Sequence, residues 1–226
     1  DTPTNNFCTM NPLDNYYAGA TFSQGNNKVV TVGGGSGTYN LATVGLTTGK
    51  WYWEIKMGDS NAKSVGIEDR TMPDSSEAAA ASTKGAVYYG ASGNYRVDVG
   101  TSTSYGDTYT TNDIIGVYLD LDNNKLYFGK NGTVQASGTG IDISAVSATT
   151  HGWYMPVVCK DDGGSTFNMN FGATSFDDTA IASANSDANG YGNFEYSPND
   201  GGGSSFDSAA KNFLAICTKN LGSDGG

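Results

Sequence analysis

The stretch Gly49-Lys50-Trp51-Tyr52-Trp53-Glu54-Ile55-Lys56-Met57 decides the fold of this chain. Its large apolar side chains fall on every second residue, which is the spacing of one face of a β-strand. That face carries Trp51, Trp53, Ile55 and Met57. The opposite face carries Tyr52, Glu54 and Lys56. The pattern predicts a strand with both tryptophans in a core, and Glu54 either making structural hydrogen bonds or facing solvent.

Short apolar runs separated by turns continue on both sides of this strand. Residues 114–121, the turn Asp122-Asn123-Asn124 and residues 125–128 predict a hairpin. A second hairpin is predicted for residues 153–160 and 166–171, around an Asp-Asp-Gly-Gly-Ser turn. No helical period of apolar residues is sustained anywhere in the chain. The sequence therefore predicts an all-β sandwich of short strands.

The composition agrees with a β protein rich in turns and excludes several partners. The chain has 226 residues, of which 32 are glycine, and 12% are aromatic. Lys and Arg number 12 against 23 Asp and Glu, which gives a net charge of −11. Because nucleic acids and anionic membranes require a basic surface, neither is expected as a partner. The start at Asp1 and the Gly-rich end predict a processed product or a piece of a longer protein.

The cysteines leave two alternatives open. Cys159 lies in an apolar run and is predicted to be a small buried residue, with a catalytic pair of Cys159 and His151 as the alternative. Cys8 and Cys217 lie near opposite ends of the chain. If the terminal segments pair, a disulfide could join these two cysteines, provided that the bridge geometry is met.

The two ends of the chain differ in character from its middle. Residues 1–17 are predicted to form an irregular N-terminal arm, and residues 18–172 the β-sandwich. Residues 173–226 are predicted to be a loop-rich C-terminal extension that packs back on the sandwich or on a neighbouring molecule. Within it, residues 211–221 are expected to form a strand or short helix. Its long loop is expected to be pinned by four aromatic rings, those of Phe176, Tyr191, Phe194 and Tyr196.

Six sequence blocks in one order resemble SPRY domains. The opening Gly49-Lys50-Trp51-Tyr52-Trp53-Glu54-Ile55 is similar to the family's G-K-x-Y-W-E-V, and Leu126-Tyr127-Phe128-Gly129-Lys130-Asn131-Gly132 to its L-x-F-x-K-N-G. The other four blocks are residues 65–67, 112–122, 154–158 and 170–172. One block departs from the family, because Val87-Tyr88-Tyr89-Gly90 stands where a W-G motif is expected. The acidic, Gly/Asn-rich style and the segment 213–221 also resemble SPRY-containing virion or tail-fibre proteins of bacteriophages.

The resemblance implies a bent sandwich of two antiparallel β-sheets that acts as a binding module through variable loops at one edge. Aromatic and arginine side chains are the types enriched at binding hot spots. For the tyrosines, the alternative is that the ring packs inside and only the hydroxyl is exposed. The candidate contact residues are Asp69, Arg70, Tyr88, Tyr89, Tyr95, Arg96, Tyr105 and Tyr109.

Metal and catalytic sites receive weaker support. Asp120 and Asp122 could hold Ca²⁺, but they stand at a hairpin turn where Asp side chains commonly bind backbone N–H groups. An EF-hand loop is excluded, because Lys125 stands where that loop needs glycine. No cofactor and no catalytic residue are therefore predicted. Trp153, at the start of a strand, could lie in the core or stack on a sugar.

The expected function is a non-enzymatic binding or structural domain of a virion surface or fibre protein, located on the virion or outside the cell. It would contact a host-surface glycan or protein, or a neighbouring subunit, through the loops at the edge of the sandwich. One alternative is a self-assembling filament or capsid subunit that docks through its terminal arms, which would then be poorly packed on their own body. Another is a secreted lectin or carbohydrate-active enzyme.

Overall fold

A computed structural model describes most of the chain. The described residues are 1–13, 19–32, 38–60, 63–69, 85–98, 100–144, 146, 152–160, 164–173, 176–177, 179–199 and 211–222. They form short strands, one 3-10 turn at Ala136–Gly138 and one short helix. The elements are β1 Thr21–Ser23, β2 Lys28–Val30, β3 Thr38–Leu41, β4 Lys50–Met57, β5 Lys63–Glu68, β6 Gly85–Tyr89, β7 Asn94–Val97, β8 Thr103–Ser104, β9 Ile114–Asp120, β10 Lys125–Lys130, β11 Thr133–Val134, β12 Ile141–Asp142, β13 Met155–Lys160, β14 Thr166–Asn170, β15 Leu214–Ala215 and α1 Thr218–Leu221.

The strands form two sheets that pack face to face. The larger sheet runs in the order β1-β2-β14-β4-β9-β10-β11, with β12 beside β10 and β15 beside β4. The smaller sheet runs in the order β3-β13-β5-β6-β7-β8. All strand pairs among the described residues are antiparallel except β15 with β4, which is parallel. The predicted all-β sandwich is confirmed.

The core between the sheets follows from the alternation along β4. Trp51, Trp53 and Ile55 are fully buried and pack in one cluster with apolar residues of the facing sheet, such as Val65 and Ile67 of β5. Because alternate residues of a strand share a face, one strand supplies both tryptophans to the core. The prediction that these two tryptophans are core residues is confirmed.

One of the two predicted hairpins is wrong. β9 and β10 pair as expected, with Leu119 opposite Leu126. β13 and β14, however, belong to different sheets, since β13 pairs with β3 and β5 while β14 pairs with β2 and β4. The chain therefore crosses from one sheet to the other between them. A turn-forming sequence shows that the chain reverses, but not whether the next strand pairs with the one before it.

The terminal segments pair with each other, but the Cys8–Cys217 disulfide is not formed. The N–H of Cys8 donates to the carbonyl oxygen of Ile216 at 2.9 Å, and Phe7 lies opposite Cys217. All three cysteines are free and buried. Cys8 packs in the core between the sheets, whereas Cys217 packs in a separate cluster on the outer side of the larger sheet. The two thiols thus lie in different apolar clusters, on opposite sides of the larger sheet.

We expect all three thiols of the native protein to react very slowly with a thiol reagent such as 5,5′-dithiobis(2-nitrobenzoate). Burial excludes the reagent, and it also raises the pKa of the Cys8 thiol to about 11, so the reactive thiolate is scarce at neutral pH. Urea should expose the thiols and release the full colour. Rapid reaction of any thiol in the native protein would contradict this arrangement.

The described residues contain no helix that is long and apolar enough to cross a membrane.

Candidate functional site

The predicted contact residues separate into a buried set and a partly exposed set. Asp69 follows β5 and is fully buried. Arg70 lies outside the described residues. Tyr88 and Tyr109 are buried as well. The partly exposed set consists of Tyr89, Tyr95, Arg96 and Tyr105.

The buried tyrosines form a support inside the sandwich. The ring of Tyr88 lies 5.2 Å from that of Tyr109 and 5.1 Å from that of Phe128, measured between centroids. The Tyr109 hydroxyl donates to the carbonyl oxygen of Tyr88 at 2.7 Å, and the Tyr88 hydroxyl donates to the carbonyl oxygen of Asp107. Burial raises the pKa of the Tyr88 phenol above its ordinary value. These two tyrosines are therefore inward-facing groups that hold the chain of residues 107–109 against β6.

The partly exposed residues lie on both faces of β7. The guanidinium carbon of Arg96 lies 5.7 Å from the ring centroid of Tyr89, within the range of a cation–π contact. On the inner side, the ring of Tyr95 lies 5.7 Å from that of Tyr105, edge to face. Tyr105 in turn packs against Tyr88 at 5.6 Å, so the outer residues rest on the buried support.

The last strand of the smaller sheet completes this surface. β8 is only two residues long, and both Thr103 and Ser104 are exposed. Within the described part of the chain it pairs only with β7, through Asn94 and Tyr95, so it forms a short sheet edge there. We refer to Tyr89, Asn94, Tyr95, Arg96, Thr103 and Ser104 as the β6–β8 edge. It presents the Tyr89 ring and the Arg96 guanidinium on the outer face and the hydroxyl groups of Thr103 and Ser104 at its rim, while the partly exposed Tyr95 ring packs on the inner face.

The two carboxylates considered for calcium have separate partners. Asp120 is buried and accepts hydrogen bonds from the backbone and side-chain nitrogens of Asn123 at 3.0 and 2.9 Å. It also lies 3.4 Å from the ammonium of Lys50. Asp122 is exposed and accepts from the N–H of Gly49 at 2.9 Å. Both therefore bind the turn and its surroundings, and the described residues hold no cluster of acidic, His or Cys side chains that could bind a metal.

Trp153 lies at the surface with 37% of its area exposed. A Cβ atom on Gly45 would come within 2.8 Å of its Cγ, so the indole rests directly on that glycine. The side chain is thus fixed in place with one part accessible.

The outer face of the larger sheet was not predicted to be buried, but it is. Tyr52, Tyr118 and Tyr127 project from β4, β9 and β10 and are covered by Phe194 and Phe213 of the C-terminal extension. The rings of Tyr52 and Phe194 lie 4.9 Å apart, and those of Tyr118 and Phe213 lie 5.3 Å apart. We call these five residues the aromatic layer. It is a second core, on the side of the sheet that faces away from the sandwich interior.

Glu54 fastens the extension to this face. Its Oε1 accepts from the N–H of Tyr196 at 2.7 Å and the hydroxyl of Tyr52 at 2.9 Å. Its Oε2 accepts from the N–H of Glu195 at 2.9 Å and the side-chain amide of Asn170 at 3.1 Å. Burial raises the pKa of the Glu54 carboxyl to about 7, although the hydrogen bonds act in the opposite direction. Four donors on one buried carboxyl make this a structural residue.

A second buried carboxylate organises the extension itself. Asp187 accepts at Oδ1 from the N–H groups of Asn189 and Tyr191, at 2.9 and 2.8 Å. At Oδ2 it accepts from the N–H of Ala215 at 2.9 Å and the amide of Asn220 at 2.7 Å. The two halves of the extension, before and after residue 200, are thereby joined at one side chain. Their packing explains why the outer face of β4 is closed.

The comparisons with known proteins point to one family. The SPRY domain model matches residues 50–174. Among solved structures, the SPRY domain of human HERC1 superimposes with a TM-score of 0.57 at 21% identity, covering 71% of this chain and 96% of that one. A second human SPRY domain gives a TM-score of 0.52 at 16% identity, covering 66% of this chain and 93% of that one. At these identities the structural matches establish the fold alone.

Proposed function

The chain belongs to the SPRY domain family, and from that premise we propose that it is a non-enzymatic binding domain that recognises a protein partner through the β6–β8 edge. SPRY domains are generally protein-binding modules. The match covers the whole described edge, whereas the aromatic layer depends on residues outside it.

The observation that carries this proposal is the residue set at the edge and its support. Tyr and Arg are, with Trp, the side chains enriched at binding hot spots, and here Arg96 and Tyr89 already lie against each other. Tyr95 and Tyr105 rest on the buried Tyr88, so little conformational freedom remains to be lost on binding. A rigid aromatic surface beside a short sheet edge is suited to an extended segment of a partner.

The packing of the terminal arms favours this proposal over assembly through docking arms. Cys8 and Met10 of the N-terminal arm are buried on the chain's own body. Phe213, Ile216 and Cys217 of the C-terminal extension are buried in the same way. An arm that docks on a neighbouring molecule would leave such side chains uncovered in the isolated chain, and in the described residues they are covered.

The test is a peptide selection followed by mapping. A random-peptide library displayed on yeast is selected against the full chain, and the affinity of the selected peptides is measured for Arg96→Ala, Tyr89→Ala and Trp153→Ala. Trp153→Ala is the matched control, since it removes a partly exposed aromatic ring that precedes β13, two strands away from β6 in the smaller sheet. We expect losses of about tenfold or more for the two edge variants and little change for the control. Peptides that are insensitive to both edge variants, or that depend on Trp153, would contradict the proposal.

The virion or extracellular setting, and a host glycan as the ligand, are also proposals. They are supported by the acidic, Gly/Asn-rich composition and by the resemblance of residues 213–221 to phage virion proteins. A glycan array probed with the wild-type chain and with Tyr95→Ala tests the glycan. Binding that disappears in the variant would favour a glycan at the edge. An array without signal would contradict the glycan and leave a protein as the proposed ligand.

A further inference from the structure

A cleft opens where the C-terminal extension meets the start of β4. It has a volume of about 500 Å³, within the range of small-molecule sites. The sandwich contributes one wall and the extension the other, so the cleft depends on residues outside the SPRY match. Its lining residues are Gly49, Lys50, Asp122, Ala188, Asn189, Lys211, Asn212 and Leu214.

Three polar groups in the cleft have no partner within the described part of the chain. They are the ammonium of Lys211, the side-chain amide of Asn212, and Oδ2 of Asp122, whose Oδ1 alone accepts from Gly49. A cation, an amide and a carboxylate oxygen, all three solvent-exposed, thus line one open cleft with hydrogen-bonding capacity unused.

The base of the cleft is held firmly by contacts already made. Lys50 is 3.4 Å from the buried Asp120, and Leu214 belongs to β15, paired with β4. The N–H of Asn189 donates to the buried Asp187 at 2.9 Å. The free groups are therefore displayed on a fixed frame, which lowers the entropy cost of binding.

We propose that this cleft binds a hydroxylated carboxylic acid of the uronic acid type. The ligand carboxylate pairs with the ammonium of Lys211, and its hydroxyl groups donate to Asp122 and exchange hydrogen bonds with the amide of Asn212. Because Lys50 is already paired with the buried Asp120, Lys211 is the lining cation left for the ligand carboxylate, beside the carboxylate of Asp122.

The lining disfavours the other small ligands. A compact inorganic anion would meet repulsion from Asp122 and could use only the NH₂ half of the Asn212 amide. A neutral apolar ligand would remove Lys211 and Asn212 from water without replacing their hydrogen bonds, which is unfavourable. A zwitterionic amino acid would satisfy both charges, but it fills a small part of the volume and offers few hydroxyl groups. A sugar acid supplies one negative charge and several hydroxyls.

The experiment is a titration of the ¹⁵N-labelled full chain, followed by its amide NMR signals. The probes are sodium D-glucuronate, D-glucose, acetate, inorganic phosphate and glycine, each at up to tens of millimolar. We expect saturable shifts at the cleft amides with glucuronate, and binding about tenfold weaker or absent with the other four. This comparison separates the need for the charge from the need for the hydroxyls.

Variants test the location. Lys211→Gln should weaken glucuronate binding about tenfold, because it removes a charge-assisted hydrogen bond. Lys219→Gln makes the same change at an exposed lysine outside the cleft and should bind as the wild type does. Thermal unfolding confirms that both variants are folded. Equal binding of phosphate, glycine or glucose, insensitivity to Lys211→Gln, or no saturable shift with glucuronate would each overturn the proposal.

Discussion

Removing the chain from Lys211 onward is expected to unfold or precipitate the protein. The deletion takes away Phe213, Ala215, Ile216 and Cys217, all of which are essentially fully buried. It also exposes Tyr118 and Tyr127, which pack against Phe213. At about 1.5–3 kcal/mol for each large apolar side chain returned to water, the loss is at least about 5 kcal/mol. That amount is comparable with the whole stability of an ordinary domain.

The measurement is the yield of soluble protein and its urea unfolding curve, followed by tryptophan fluorescence. A graded series makes the result interpretable. Phe213→Ala alone should cost about 3–5 kcal/mol, since it leaves a cavity in the aromatic layer. Lys219→Ala, at an exposed position of the same segment, should stay within about 0.5 kcal/mol of the wild type. A truncated chain that unfolds at the urea concentration of the intact protein would show that the SPRY sandwich needs no extension.

The sequence alone does not show that the sandwich depends on its C-terminal extension, because the second face of β4 carries residues of mixed polarity. Tyr52, Glu54 and Lys56 alternate with the core residues and together suggest a solvated surface. Because a tyrosine has a large apolar ring and a single polar hydroxyl, the same pattern also fits a buried face. A further signal was present in Gly116 and Gly129, which lie opposite each other on β9 and β10. A Cβ on Gly116 would lie 3.0 Å from the Tyr52 ring, so this glycine makes room for the aromatic layer.

The candidate contact residues show a second limit. Tyr88 and Tyr89 are adjacent in β6, so they must point to opposite faces of the sheet. Alternation alone predicts that one of the two is a core residue, and in the structure that residue is Tyr88. It could not have assigned Tyr109, which lies in an irregular segment and is buried through the hydrogen bond from its hydroxyl to β6. Strand periodicity therefore predicts burial within β-strands, while loop residues depend on tertiary contacts.

Replacing Glu54 by Ala is expected to destabilise the protein by about 3–5 kcal/mol, because the N–H groups of Glu195 and Tyr196 and the Tyr52 hydroxyl lose the carboxyl that accepts from them. The N–H groups of Glu195 and Tyr196 both depend on this carboxyl, at 2.9 and 2.7 Å. Glu54→Gln keeps the volume and one oxygen, so its cost should be nearer 2 kcal/mol. Its NH₂ group cannot accept, and one backbone N–H of the extension stays unpaired.

The pH dependence separates Glu54 from other contributions. Its pKa is about 7 in the folded protein and 4.5 as the ordinary value, so the folded state holds the proton more tightly. The stability gained from this is complete below pH 4.5 and is lost as the pH rises through about 7. The wild type should thus lose roughly 1–3 kcal/mol between about pH 5 and 8, and both Glu54 variants should lack this slope.

Two other carboxyls with shifted pKa values, Asp113 and Asp177, titrate below the range of pH 5 to 8. The pKa values of Asp113 and Asp177 are lowered below the ordinary 3.8 by hydrogen bonds and by nearby lysines, so these carboxyls lose their contribution only in stronger acid. Urea unfolding at pH 5 and pH 8 gives the slopes, and hydrogen exchange at the amides of Glu195 and Tyr196 shows whether the extension loosens locally. An unchanged slope in Glu54→Gln would assign the titration to another group, and unchanged exchange would mean that Glu54 does not fasten the extension.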